Sequence, residues 1–289
     1  MINLYNQKEV RELMSAHGIT FRKEFGQNFL MDPFVVERIA DAAGDTHERT
    51  VLEIGPGIGT LTRELAARYR RVLALEIDRG LIPVLAETLA DCPNAEVLNL
   101  DAMKADLGEL LAKDFAQGAV SVCANLPYYI TTPILMKLLE CGLPFESITV
   151  MVQKEVADRL CATAGSRDYG AITVAINYYG SAQKCFFVPA GKFLPPPKVD
   201  SAVVRIDLYK NSPYADAGRD LLFRVVKAAF GERRKTLSNA LSAGFPELSK
   251  TAITDCIEGI GLEPSVRGER LDIQAFVDLS AALGNALKE

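Results

Sequence analysis

A doubly wound, mostly parallel α/β sheet followed by a small all-helical domain is the fold this sequence predicts. From Val51 to Tyr179, short apolar runs of strand length alternate with helical patterns, as βαβ units require. A tight glycine turn, Gly55-Pro56-Gly57-Ile58-Gly59, joins the first of these strands to its helix. Beyond Ala217 every apolar pattern is helical, and the Asn, Ser, Pro, Asp and Gly of Tyr209 to Ala217 mark a linker. The expected division is residues 1–210 for the sheet domain and 211–289 for the helical one.

The chain opens with a helix from Asn6 to His17, whose Val10, Leu13, Met14 and His17 share one face, and Gly18 stops it. An aperiodic loop, Phe21 to Leu30, mixes aromatic, basic and Gly residues. Asp32-Pro33 reads as an N-cap and a first helical proline, with Val36, Ile39, Ala40 and Ala43 facing inward. Val51 to Ile54 is the first strand, and Leu61, Leu65 and Tyr69 form one face of the helix after the glycine turn. Val72 to Glu76 and Val97 to Leu100 are the next two strands, with a helix from Leu81 to Leu89 between them. Asp106 and Glu109 have capping-box spacing for the following helix.

The fourth strand, Ala119 to Ala124, runs into Asn125, and Thr132-Pro133 is expected to cap the helix beyond. Ser147 to Val152 is the fifth strand, and helices are expected near Lys154 to Cys161 and at Ala171 to Tyr179. Lys184 to Val188 and Ser201 to Leu208 close the sheet, flanking a stiff extended connector from Phe193 to Lys198. The helical domain is expected to hold Leu221–Phe230, Arg234–Leu241, Ile253–Ile257 and Ile273–Leu283.

Composition narrows the function classes. At 289 residues, with 49% hydrophobic and 24% charged, the chain matches a globular protein, and no apolar run approaches a membrane span. The first residues have neither a basic nor an apolar leader region, so secretion is not expected and a cytoplasmic location is; a monomer is the expected state. Six scattered cysteines without a C-x-x-C pair read as small buried hydrophobes, and no metal site is predicted. Only His17 and His47 are present, which disfavours histidine-based catalysis. A net charge of −5 is unlike the basic balance of nucleic-acid binders. Any RNA contact therefore falls to local clusters: Arg22-Lys23, Arg70-Arg71 and Arg233-Arg234-Lys235.

Asn125-Leu126-Pro127-Tyr128 stands at a strand's carboxyl end, the edge where open α/β sheets bind ligands. The Asn125 side-chain carbonyl can accept from an exocyclic amine. Pro127 restricts Leu126 to extended backbone, which would aim the Leu126 carbonyl at the same amine. Tyr128 offers a π-face on which a base can stack. A strand end followed by an ordinary proline turn fits these four residues equally well.

Three further strand ends narrow the choice. The glycine turn is G-x-G-x-G, not the G-x-G-x-x-G of pyrophosphate binders. Glu76 lies 21 residues after Gly55, where an acid can accept both hydroxyls of a ribose. Asp101 ends the next strand and can accept from an adenine amine. Together Gly55, Glu76 and Asp101 suit a nucleoside ligand without pyrophosphate, such as S-adenosylmethionine.

The runs Phe25-Gly26-Gln27-Asn28-Phe29-Leu30, Val51 to Gly57, Asn125 to Tyr128, Val152-Gln153-Lys154-Glu155-Val156-Ala157, Phe193 with Pro195 to Ser201, and Arg233 to Leu237 closely resemble the small-subunit (16S) ribosomal RNA adenine N6-dimethyltransferases. The resemblance covers the chain from about Phe21 onward. It implies a class I, Rossmann-like fold that uses S-adenosylmethionine and releases S-adenosylhomocysteine. The implied reaction methylates N6 of two adjacent adenosines near the 3′ end of small-subunit rRNA, within a ribosomal small-subunit particle. It also implies that Asn28, Leu30, Gly55, Gly57, Glu76, Asp101 and Asn125 line the cofactor site. Tyr128 and Phe193 would sandwich the target base, and Arg22, Lys23, Arg233, Arg234 and Lys235 would contact RNA. A methyltransferase of large-subunit rRNA adenines, a DNA adenine methyltransferase and a ribosome-assembly or transcription factor that keeps the fold mainly for binding remain as alternatives.

Overall fold

A computed structural model describes residues 2–19, 27–44, 46–232 and 234–288. Residues 20–26, with Arg22 and Lys23, lie outside the described residues, as does Arg233. Helix α1 (Gln7–Ala16) starts where the Asn6 side chain accepts from the Lys8 and Glu9 N–H groups. The two-residue strand β1 (Phe29–Leu30) precedes α2 (Pro33–Ala43), which Asp32 caps through the Val35 N–H as its sequence predicted.

The βα alternation then follows in order. Its elements are β2 (Thr46–Ile54), α3 (Thr60–Ala66), β3 (Tyr69–Leu75), α4 (Leu81–Thr88), β4 (Ala95–Leu98) and α5 (Leu107–Gln117). Next come β5 (Val120–Asn125), α6 (Thr131–Glu140), β6 (Phe145–Gln153), α7 (Lys154–Leu160) and α8 (Ala171–Tyr179). Strands β7 (Gly180–Val188), β8 (Phe193–Leu194) and β9 (Ser201–Leu208) follow. Helices α9 (Arg219–Gly231), α10 (Leu237–Gly244), α11 (Lys250–Gly259) and α12 (Ile273–Ala286) end the chain.

The strand order is β4-β3-β2-β5-β6-β9-β7. Strands β2 to β6 are mutually parallel where they pair, and β9 runs antiparallel to β6. From β2 the chain steps outward to β3 and β4, then returns to β5 on the other side. The order therefore reverses between β2 and β5, which leaves a crevice beyond their carboxyl ends. Ile39 from α2 and Leu65 from α3 pack with Val72, Cys123 and Met151 from the sheet in one core. A second core joins Val10, Leu13 and Met14 of α1 to Ile58, Leu81 and Leu85.

Several expectations need correction. Tyr69 is not on the face of α3. The helix ends at Ala66, and Tyr69 opens β3 with its buried hydroxyl donating to the Ala43 carbonyl at 2.8 Å. Strand β4 ends at Leu98, so Asp101 lies three residues past it, in the loop to α5. Thr132 does not cap α6; the helix starts at Thr131, whose hydroxyl donates to the Pro127 carbonyl at 3.2 Å. The Phe193–Lys198 connector begins as a strand, because Phe193 and Leu194 pair antiparallel with Leu30 and Phe29. Arg70 and Arg71 are engaged with Asp114, and Arg71 also with Glu96, so this basic pair is ion-paired within the fold.

The compact units also differ from a single cut at residue 210. One comprises 1–157 and 183–208, and the other 158–182 and 209–289. The second unit's own core gathers Tyr169, Val174 and Tyr178 with Leu222, Val226, Leu241, Phe276 and Leu283. Among the described residues, no helix is long and apolar enough to cross a membrane, and no group of three His, Cys, Asp or Glu is arranged to hold a metal.

Candidate active site

The crevice at the strand-order reversal is a cleft of about 1080 Å³, part of it open to solvent. Gly55, Gly57, Glu76, Asp101 and Asn125 to Tyr128 all line it, as do Asn28 and Leu30 from the segment around β1. These residues are scattered over a hundred positions of sequence. Parallel strands bring Gly55, Glu76 and Asn125 together because each ends at the same edge of the sheet, and the segment around β1 adds Asn28 and Leu30.

Gly57 has φ +62°, and a Cβ there would stand 3.0 Å from the Phe29 ring. No other residue type meets both demands without strain. Its N–H donates to Glu76 Oε2 at 3.2 Å, and the Asp78 N–H donates to Oε1 at 2.8 Å. Two backbone donors thus fix the Glu76 carboxylate while leaving lone pairs for a ligand. Burial pushes the Glu76 carboxyl above its ordinary value, and those two N–H groups pull the other way. Asp78 is itself held by Gln27, which donates to its Oδ2 at 2.8 Å. Asn99 braces the same turn by donating to the Glu76 carbonyl at 2.8 Å.

Asp101 Oδ1 accepts from the Met103 N–H at 2.9 Å. Lys137 holds the loop that follows, donating to the Met103 and Ala105 carbonyls at 2.9 and 2.7 Å. Ile77 and Leu100 are exposed apolar side chains on the cleft wall, beside Glu76 and Asp101. They provide apolar surface for a flat ring.

Asn125 donates from Nδ2 to the Asn28 carbonyl at 3.4 Å. With that end of the amide committed, Oδ1 is the end left to accept from a ligand. The Leu126 N–H donates to the Met151 carbonyl at 3.2 Å, which anchors the turn to β6. The Tyr128 hydroxyl shares a 2.7 Å hydrogen bond with Ser201 Oγ at the start of β9. Burial raises the Tyr128 phenol above its usual range, so this hydroxyl stays protonated at neutral pH.

Phe193 departs from its expected place. It is 3% exposed, sits in the core beneath α2 and is absent from the cleft lining. Its backbone pairs with Leu30, which does line the cleft. The ring therefore supports the wall and offers no free face to a base. Two residues that sequence reading did not single out are Glu53 and Ser201. Glu53 is a fully buried carboxyl on the cleft floor whose Oε2 has no hydrogen-bond partner among the described residues. Burial pushes it up to about 8, with the Thr62 hydroxyl opposing and the Glu76 carboxylate adding to the shift. Its signal was available: one acid inside the apolar run Val51 to Ile54.

A buried carboxyl with one unpartnered oxygen and an anchored second carboxyl, beside a glycine turn with close backbone approach, fit a nucleoside-bearing cation. The family model described as "Ribosomal RNA adenine dimethylase" matches residues 18–279. The chain belongs to the ribosomal RNA adenine dimethylase family. A member from Geobacillus thermodenitrificans, named "Ribosomal RNA small subunit methyltransferase A", is 45% identical, over 94% of each chain. Another of the same name, from Alkaliphilus oremlandii, is 43% identical over 99% of this chain and all of its own. Among solved structures, a dimethyladenosine transferase from Plasmodium falciparum superposes with a TM-score of 0.77 at 25% identity, covering 89% of this chain and 98% of its own. The 23S rRNA methyltransferase ErmE superposes with a TM-score of 0.69 at 28% identity, covering 89% of this chain and all of its own. This rRNA adenine dimethylase therefore shares its fold with a dimethyladenosine transferase and with a 23S rRNA methyltransferase.

Proposed function

We propose that this chain transfers methyl groups from S-adenosylmethionine to N6 of two adjacent adenosines near the 3′ end of small-subunit (16S) rRNA, giving N6-dimethyladenosines. The observation that carries the reading is one cleft holding an anchored ribose-type acid, an adenine-type acid and the Asn125–Tyr128 turn. S-adenosylmethionine supplies an electrophilic methyl on a sulfonium and leaves as S-adenosylhomocysteine. Glu76 accepts the ribose hydroxyls, Asp101 takes the adenine amine, and Asn28, Leu30, Gly55, Gly57 and Asn125 complete the wall.

The target amine is a poor nucleophile because its lone pair is delocalised into the purine. Asn125 Oδ1 and the Leu126 carbonyl accept its two N–H groups, drawing the nitrogen toward a tetrahedral shape that frees the lone pair. Pro127 stiffens the turn, and Tyr128, held by Ser201, stacks the base. Orientation then supplies most of the acceleration, and the displaced proton leaves to solvent. The target must be unstacked to reach the cleft. Phe193 contributes by holding the Leu30 wall. In the helical unit, Arg234 and Lys235 are exposed and Lys235 is paired with Glu232. With Arg22, Lys23 and Arg233 they form the proposed phosphate contacts.

Glu76→Ala removes the anchored ribose acceptor, so S-adenosylmethionine affinity is expected to fall by ~1.5–3 kcal/mol. Calorimetric titration measures it, and an unchanged affinity would move the ribose site elsewhere. The function itself is tested with methyl-labelled S-adenosylmethionine and three substrates: unmethylated small subunits, large subunits and duplex DNA. Label is expected in small subunits only. After one transfer a single N–H remains for two acceptors, and an unpaired buried acceptor costs ~1–3 kcal/mol. Mass spectrometry should therefore find monomethyladenosine as a transient and dimethyladenosine accumulating. Permanent arrest at monomethyladenosine, or label in large subunits alone, overturns the reading.

A further inference from the structure

Strand β7, at the end of the sheet order, carries two neighbouring aromatics in different settings. Phe186 packs against the core, and the Arg38 guanidinium lies 3.8 Å from its ring centroid, covering that face. Phe187 is 53% exposed. Lys184 Nζ stands 5.2 Å from the Phe187 centroid and Lys154 Nζ 5.7 Å from it. Both ammonium groups lie within the range of cation–π attraction and rim an accessible ring.

This patch is tied to the active site. The Lys154 N–H donates to the Asp200 carbonyl at 2.9 Å, and the next residue, Ser201, holds the Tyr128 hydroxyl. A continuous chain of contacts thus runs from the base-stacking Tyr128 to the Phe187 ring. The chemistry selects the occupant. A purely apolar partner gains nothing from two ammonium groups at the ring edge, whereas a nucleotide uses both features, a π-face for its base and cations for its phosphates. In a chain of net charge −5, such local cationic sites are where an RNA strand can be held.

We propose that Phe187, with Lys154 and Lys184, is a docking platform for an unpaired nucleotide of the substrate RNA outside the reacting adenosine. The proposal rests on the rRNA methyltransferase reading above. The ring stacks the base, and the two ammonium groups take the flanking phosphates.

The test uses the full-length protein and purified, unmethylated small ribosomal subunits. Phe187→Ala is expected to raise the apparent KM for subunits roughly tenfold, with kcat at saturating subunits and S-adenosylmethionine affinity unchanged. Phe187→Trp, which keeps a π-face, should restore the wild-type KM, and Phe187→Leu, which keeps only bulk, should not. Lys154→Ala with Lys184→Ala should flatten the slope of log KM against log salt by about 1.4. Wild-type KM in both Phe187→Ala and Phe187→Leu overturns the platform while leaving the methyltransferase reading intact. Loss of self-association in Phe187→Ala with unchanged KM assigns the patch to a second copy of the chain and also overturns it. A wild-type protein that methylates no subunit overturns both readings.

Discussion

Replacing Asn125 by alanine is expected to slow methyl transfer by roughly 10²–10³, the scale on which losing one preorganised polar group at a reacting centre registers. The reason is directional. Asn125 donates from Nδ2 to the Asn28 carbonyl at 3.4 Å and lines the cleft, so Oδ1 is the end of the amide left to accept from a ligand. Without it, the amine keeps one acceptor and its planar, unreactive shape. Cofactor affinity should fall far less, because Glu76 and Asp101 are untouched. Asn125→Asp keeps an acceptor at the same place but cannot donate to Asn28, so it should lie between alanine and wild type. Single-turnover transfer of labelled methyl to small subunits measures all three. An alanine variant within tenfold of wild type would mean that the Leu126 carbonyl alone presents the amine.

The cleft was legible in the sequence because Gly55, Glu76 and Asn125 lie at or just past strand ends, which can be read from short apolar runs. Asp32-Pro33, the glycine turn and the Asp106 cap were equally visible, since each acts within four residues. What failed depended on distant partners. Tyr69 has helical spacing from Leu61 and Leu65, yet it belongs to β3 because its hydroxyl reaches Ala43 and its strand pairs with β2. Phe193 was expected, from the resemblance, to stack the target base from an extended connector. Only its pairing with Leu30 reveals that the ring turns into the core. Residues 158–182 continue the local alternation, but Tyr169, Val174 and Tyr178 pack in the core of the helical unit. An apolar face announces that it will be buried and not against what.

Replacing Glu53 by glutamine is expected to stabilise the protein and to weaken its hold on the cofactor. The unfolded carboxyl titrates near 4.5 and the native one at about 8, because burial disfavours its charge. Between those values the native state binds more protons than the unfolded state, so stability falls as pH rises. The slope is about 1.4 kcal/mol per pH unit. This contribution is fully present below 4.5 and is lost as pH climbs through the native value. A glutamine has no such slope, so the variant's advantage in urea unfolding should widen steadily from pH 5 to pH 8 and then level off. A buried acid with one unpartnered oxygen, which destabilises its own fold at neutral pH, makes sense beside a cation. A positively charged sulfonium cofactor favours the ionised carboxylate, so wild-type binding below pH 8 should release a proton and the variant's should not. Calorimetry in buffers of different ionisation enthalpy reads that proton directly. If the variant keeps the wild-type pH slope of stability and the same proton release, the titrating group is not Glu53.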